Sequence, residues 1–227
     1  MTVAGVLFDL DGTLVDTAPD LVAVLNRLLA EHDEAPMAYA IARNEASNGA
    51  LGLIRLGFGA SLAVERRESL RARFLEIYEG NLYTNSHIFI DIYAIIKDIL
   101  DIRPWGVVTN KPHALTMPLL EQLGLLKLAG CIVSGDSVEQ RKPHPAPLLH
   151  AAERLGLDPA ECVYVGDAAR DIEAGRAAGM RTVAALWGYI RPGEDPTRWA
   201  ADACVQHPRQ LAGILTGWIR GTNDGAR

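Results

Sequence analysis

The sequence predicts an α/β fold, a doubly wound parallel sheet carrying an inserted helical domain. Three observations predict it. Short β-rich apolar runs recur with amphipathic stretches between them. The first two runs are separated by a long segment with helical periodicity and no strand pattern. The 227 residues also suffice for one substantial core with a smaller domain beside it. Strand and helix in alternation imply parallel strands joined by right-handed crossovers.

Taken in order, residues 3–8 read as the first strand. Leu21, Val24, Leu25, Leu28 and Leu29 then form an apolar stripe at helical spacing, and Leu70, Phe74, Ile77 and Tyr78 form a second. A crossover between parallel strands needs only about a dozen residues. Residues 17–85 are therefore predicted as a helical cap over the sheet's C-terminal edge, with a turn near Pro36, and 1–16 and 86–227 as the α/β core. Residues 88–102 read as a helix leading back to the second strand, 105–109. Three further strands are predicted at 131–133, 163–165 and 182–185, with helices at 115–123, 146–155 and 171–178 among them. A closing helix is predicted over 208–220, and the small polar residues 221–227 are expected to fray.

Composition narrows the classes. A formal net charge of −6 argues against broad nucleic-acid binding, which needs a basic face. An acidic chain that binds phosphate needs a local cation. Cys131, Cys162 and Cys204 show no paired metal spacing. Their odd, sparse count fits buried thiols in a reducing cytoplasm. No basic segment leads into a long apolar run at the start, and no apolar stretch is long enough to cross a membrane. A cytoplasmic protein without nucleic-acid or membrane partners is the expectation.

The strongest chemical signal is Asp9-Leu10-Asp11-Gly12-Thr13-Leu14-Val15-Asp16. Two carboxylates sit two apart where an apolar strand ends, followed by a glycine that permits a sharp turn. Ligands of open parallel sheets bind at the carboxyl ends of strands. A carboxylate there can coordinate Mg²⁺ and can also attack phosphorus. Taken alone, the motif reads equally as an Asp-Gly turn with solvated acids.

Further groups follow other predicted strands. Thr109-Asn110 offers a hydroxyl and backbone amides to phosphate oxygens, although both residue types also cap helices. Lys142, in Arg141-Lys142-Pro143-His144-Pro145, can place a cation over an anion, although most isolated lysines are simply solvated. Gly166-Asp167-Ala168-Ala169-Arg170-Asp171 repeats the pattern of an acid directly after a strand, and Asp171 also suits a helix dipole. Phosphoryl transfer needs this mix: an in-line nucleophile, a metal and fixed donors around three oxygens.

With these residues in view, the sequence resembles the haloacid dehalogenase superfamily in its phosphatase branch. Asp9–Thr13 matches the D-x-D-G-T signature, and Thr109, Lys142 and Gly166-Asp167…Asp171 match the second, third and fourth motifs in order over nearly the whole chain. The resemblance implies a Rossmann-like core and Asp9 as nucleophile, with Asp11 as acid and base. It implies that Thr109 and Asn110 hold phosphate while Lys142 neutralises Asp9 and phosphate together. Mg²⁺ would rest on Asp9, the Asp11 carbonyl and Asp167, with Asp171 and Thr13 in support. Asp11 must carry a proton to release an alkoxide, and an unperturbed aspartate has a pKa of about 3.9. Neighbouring negative charge is expected to raise it.

A dehalogenase expels halide and needs neither a protonated leaving group nor Mg²⁺, so Asp11 and Asp167 point to phosphate. A phosphomutase shares the first aspartate pair, and a non-catalytic binder of a phosphorylated ligand belongs to another class. Asp16-Thr17-Ala18-Pro19-Asp20-Leu21 and Ser47-Asn48-Gly49-Ala50 resemble both the phosphoglycolate phosphatases and the N-acetylmuramic acid 6-phosphate phosphatases. Residues 105–112, Gly188-Tyr189-Ile190, Pro196, Trp199, Asp202 and His207-Pro208 lean to the second group. The expected ligand is a small phosphorylated metabolite, and the expected state a monomer or homodimer. Glycolate-specific relatives commonly carry an arginine where this chain has Leu51, and Arg55, one helical turn on, is the candidate substitute. Trp187 to Arg191 is placed at the entrance, with Arg191 facing an anionic substrate.

Overall fold

The computed structural model of the chain describes residues 2–98 and 103–221. Strand β1 (Gly5–Phe8) leads through β2 (Val15–Asp16) into helices α1 (Ala18–Ala30), α2 (Tyr39–Ala42), α3 (Gly49–Phe58) and α4 (Val64–Glu79). Strand β3 (His87–Ile88) and α5 (Ile92–Asp98) follow. Then β4 (Trp105–Val108), α6 (His113–Gln122), β5 (Cys131–Val133), α7 (Ala146–Leu155), β6 (Cys162–Gly166), α8 (Ala169–Ala177) and β7 (Arg181–Ala185) alternate. Strand β8 (Ala203–Val205) and α9 (Pro208–Arg220) end the fold.

Among the described residues the main sheet has six strands in the order β5-β4-β1-β6-β7-β8, every pairing parallel. Both of its faces are covered, which explains the continuous apolar runs. Side chains alternate between the two layers: Val6 and Phe8 pack in the same cluster as Ile95, Leu119 and Leu211, while Leu7 and Tyr164 pack with Leu148 and Ala174. Helices α1, α3 and α4 bury a core of their own around Leu25, Leu28, Leu53 and Phe74, joined to the sheet side by Leu115 and Tyr189.

The predicted strands recur within a residue or two, and the fold class is the expected one. Three details differ. β8 was not predicted, because its three residues carry no alternation long enough to read. The predicted helix 88–102 begins instead with an antiparallel pairing of Ile88 to Val15, and Asp91 stands at φ 73° before α5 starts at Ile92. That left-handed residue breaks the helical run; positions 99–102 of the prediction lie outside the described residues, as do 222–227 of the fraying tail. Finally, Cys131 and Cys162 are buried as expected, but Cys204 is exposed.

Candidate active site

β1 lies between β4 and β6, so the residues that follow these three strands converge. Neighbouring strands are only about 4.8 Å apart. Asp9 follows β1 and donates its amide to the Val165 carbonyl at 2.9 Å; Thr109 follows β4, and Asp167 follows β6. Lys142 arrives from the loop after β5. Its backbone is clamped by the Asn110 side chain, which donates to the Lys142 carbonyl at 3.0 Å and accepts from the Lys142 amide at 3.1 Å. Asn110 therefore commits its side-chain oxygen and one of its two amide N–H groups to holding Lys142.

Lys142 is 3% exposed. Its ammonium lies 2.9 Å from Asp9 Oδ1 and 2.8 Å from Asp171 Oδ1, and donates to the Val108 carbonyl and the Tyr164 hydroxyl. Burial opposes its charge, but Asp171 and Asp9 outweigh burial and raise its pKa. Burial also pushes Asp9 up to about 7; Lys142 pulls it down, and the Asp171 and Asp167 charges push it further up. Asp167 rises to about 6, by burial first and by the Asp171 charge second. Opposing that rise are hydrogen bonds to its carboxylate from the Tyr189 amide at 2.8 Å and the Ser47 hydroxyl at 2.7 Å. The Thr13 hydroxyl donates to its other oxygen at 3.3 Å.

Asp9, Asp167 and Asp171 each offer an oxygen within 4.8 Å of the others, all three buried. Hard oxygen donors with this surplus of buried negative charge fit Mg²⁺. Room for the Asp167 carboxylate depends on two glycines. A Cβ on Gly188 would overlap it, and so would one on Gly12, whose φ of 83° already disfavours a side chain.

Asp11 stands apart from that cluster. Its Oδ1 accepts from the Thr17 hydroxyl at 2.6 Å and from the Lys111 ammonium at 3.0 Å. The expected anionic neighbour is thus replaced by a cation, because Lys111 turns back from the loop after β4. Lys111 is itself buried, and its raised pKa reflects Asp11 and Tyr78 overriding burial. It bonds the Tyr78 hydroxyl at 2.9 Å, and burial pushes that hydroxyl up to about 12.

A cavity of about 280 Å³ opens over Asp9, Asp11, Thr109 and Asn110. Lys111, Arg141 and Arg170 line it from the sheet side, and Ser47, Leu51, Arg71, Phe74 and Tyr78 from the helices. Lys142, Asp167 and Asp171 are not on its wall; they lie behind Asp9. Arg55 is not on the wall of this cavity; it lines an adjoining groove with Gly59 and Arg67 that shares Asn48 and Leu51 with it. Arg191 pairs with Glu194 at 2.8 Å and lies 3.9 Å from Glu45, so it does not face the cavity. Arg170 ties the helical segment down by donating to the Ser47 carbonyl and to Asn48 Oδ1, while Arg43 does so from the other side through the Gly188 and Trp187 carbonyls.

Sequence reading assigned no role to Lys111, Tyr78, Ser47, Arg170, Arg71 or Arg141. Lys111 directly follows Thr109-Asn110 at a strand end, a position that could have flagged it. Tyr78 gave no signal, since it reads as one more member of an apolar stripe.

The family model for haloacid dehalogenase-like hydrolases matches residues 6–185. A phosphoglycolate phosphatase of Xanthomonas campestris pv. campestris (strain 8004) is 44% identical over 207 residues, covering 91% of this chain and 93% of the relative. An N-acetylmuramic acid 6-phosphate phosphatase of Pseudomonas putida is 39% identical over 222 residues, covering 97% of this chain and all of the relative. The crystal structure of a predicted phosphoglycolate phosphatase from Haemophilus somnus 129PT superposes with a TM-score of 0.83 at 26% identity, covering 94% of this chain and 98% of that one. The chain belongs to the haloacid dehalogenase-like hydrolase family.

Proposed function

We propose that this enzyme hydrolyses a small phosphate monoester with Mg²⁺, through an aspartyl-phosphate formed on Asp9. The observation that carries the reading is Asp9 on the cavity wall with the Lys142 ammonium 2.9 Å behind it. An anionic nucleophile and a dianionic ester repel each other, and this buried cation offsets part of that repulsion. Asp9 attacks phosphorus. As the ester P–O bond breaks, Asp11 gives its proton to the leaving oxygen. Asp11 then takes a proton from water as that water attacks phosphorus, and the Asp9–phosphorus bond breaks to release phosphate. The Thr109 hydroxyl and the main chain of Asn110 hold phosphate oxygens.

Mg²⁺ would be held by Asp9, Asp167 and the Asp11 carbonyl, with Asp171 and Thr13 in support, and would supply charge neutralisation at the transferring phosphoryl group. The helical segment 17–85 acts as a cap on a core of 1–16 and 86–227.

Phosphoglycolate is the first candidate substrate, in keeping with the X. campestris relative. Two observations favour N-acetylmuramic acid 6-phosphate or another sugar phosphate as a second reading: Leu51 on the cavity wall, and a cavity larger than a two-carbon ester fills. Phosphate release with Mg²⁺ across both compounds, hexose phosphates and nucleotides decides between them. A hundredfold preference corresponds to about 2.7 kcal/mol of transition-state discrimination. An isomerised sugar phosphate in place of free phosphate would instead mean a mutase. Asp9→Asn should drop phosphate release to background with an unchanged circular dichroism spectrum; wild-type rates from that variant would remove Asp9 from its role.

A further inference from the structure

We propose that Tyr78 and Lys111 are positioning residues for proton transfer by Asp11, so that the helical segment orients the acid of a site otherwise built on the sheet. The inference rests on the phosphatase reading above and adds to it two residues from different parts of the fold.

The geometry is a short relay. Tyr78 sits near the end of α4, fully buried, and its hydroxyl accepts from Lys111 Nζ at 2.9 Å. The same ammonium lies 4.5 Å from the Tyr78 ring centroid, within cation–π range, and donates to Asp11 Oδ1 at 3.0 Å. The Thr17 hydroxyl donates to the same oxygen at 2.6 Å. Among the described residues, both hydrogen bonds on the Asp11 carboxylate therefore fall on Oδ1, which leaves Oδ2 as the oxygen that gives and takes the proton. Asp11, Lys111 and Tyr78 all line the cavity, so the relay forms one side of the space where a leaving group would stand.

A lysine placed here for charge alone would not need a buried tyrosine. Its stem is flexible, with three rotatable donors. The Tyr78 hydroxyl and ring together fix where the ammonium points, and hence which Asp11 oxygen it occupies. Because Tyr78 belongs to the helices, lifting them would release Lys111 and with it the orientation of Asp11.

Leaving-group dependence separates this role from a packing role. An alkyl ester such as 2-phosphoglycolate needs its leaving oxygen protonated, whereas 4-nitrophenolate departs from 4-nitrophenyl phosphate without a proton. General acid catalysis is worth about 10²–10⁴-fold. Tyr78→Phe, which keeps the ring, and Lys111→Met, which keeps the stem, should each lower kcat/KM for the alkyl ester at least about tenfold more than for the aryl ester. Lys111→Arg should restore part of that difference. Equal losses on both esters would overturn the proposal, since lost folding, lost substrate binding or a loosened cap lowers both alike; unchanged rates on both would overturn it too. The alkyl ester is whichever member of the panel above the enzyme hydrolyses best; wild-type enzyme that releases phosphate from none of them would instead sink the phosphatase reading, and this proposal with it.

Discussion

Ser47, at the end of the 3-10 turn before α3, donates its hydroxyl to Asp167 Oδ2 at 2.7 Å, so the helical segment holds a carboxylate that belongs to the sheet. That bond helps keep Asp167 ionised against burial. Groups that orient a metal ligand from outside typically contribute 10–100-fold in metal affinity. Because Asp167 keeps the Tyr189 amide and Thr13 as partners, Ser47→Ala should weaken Mg²⁺ binding by about tenfold, the low end of that range. Titrating the melting temperature against Mg²⁺ reads this without any turnover. An unchanged Mg²⁺ midpoint would show that the bond is only a closure contact.

The same carboxylates set a pH dependence for the metal-free protein. The Asp9 and Asp167 pKa values stand at about 7 and about 6 in the fold, above the 3.8 of an unperturbed aspartate. Between about pH 4 and pH 7 the folded chain therefore holds protons that the unfolded chain has released. Stability should fall as pH rises through this window. Mg²⁺ favours the ionised carboxylates, so it should raise the melting temperature more at pH 8 than at pH 5. Thermal melts with EDTA and with Mg²⁺ at both pH values check the sign; a larger metal effect at pH 5 would contradict the assignment of Asp9 and Asp167 as ligands.

Gly188 tests the packing beneath that cluster. A Cβ there would overlap the Asp167 carboxylate, which also accepts from the Tyr189 amide one residue further on. Overpacking of this kind costs about 1–3 kcal/mol. Gly188→Ala should still fold, with Asp167 displaced. Its urea midpoint should fall by a corresponding amount and its Mg²⁺ requirement should rise. Wild-type values for both would mean that the loop shifts freely and that the glycine is not needed for Asp167.

What the sequence made legible follows from how local each signal is. Asp9 and Asp167 could be placed because each ends an apolar strand, and parallel strands bring their ends together by topology alone. Lys142 was legible only through its motif, since its loop reaches the site by way of Asn110 rather than by any spacing. Tyr78 and Ser47 were not legible as site residues, because their roles depend on how the helices sit against the sheet. β2 and β3 escaped for a related reason: two-residue strands carry no period, and their pairing links positions far apart in the chain. The charge beside Asp11 was misjudged because Lys111 turns back across the cavity, a conformation that composition does not encode.

Lys142 gives the sharpest stability prediction. It is the buried cation between Asp9 and Asp171, and it also caps the Val108 carbonyl at the end of β4. Lys142→Met preserves much of the volume but removes the ammonium that touches both carboxylates, leaving them only the charge of Arg170, with which neither is ion-paired. Breaking a buried pair from one side costs about 3–5 kcal/mol, chiefly through the charge left behind. The loss should appear in urea unfolding at pH 8 and shrink at pH 5, because protonating Asp9 removes one of the two stranded charges. Mg²⁺ should recover part of the stability at pH 8 without recovering turnover, since a metal on Asp9 and Asp167 does not replace the ammonium between Asp9 and Asp171. A destabilisation equal at both pH values would mean that Lys142 matters for packing and not for the charge it offsets.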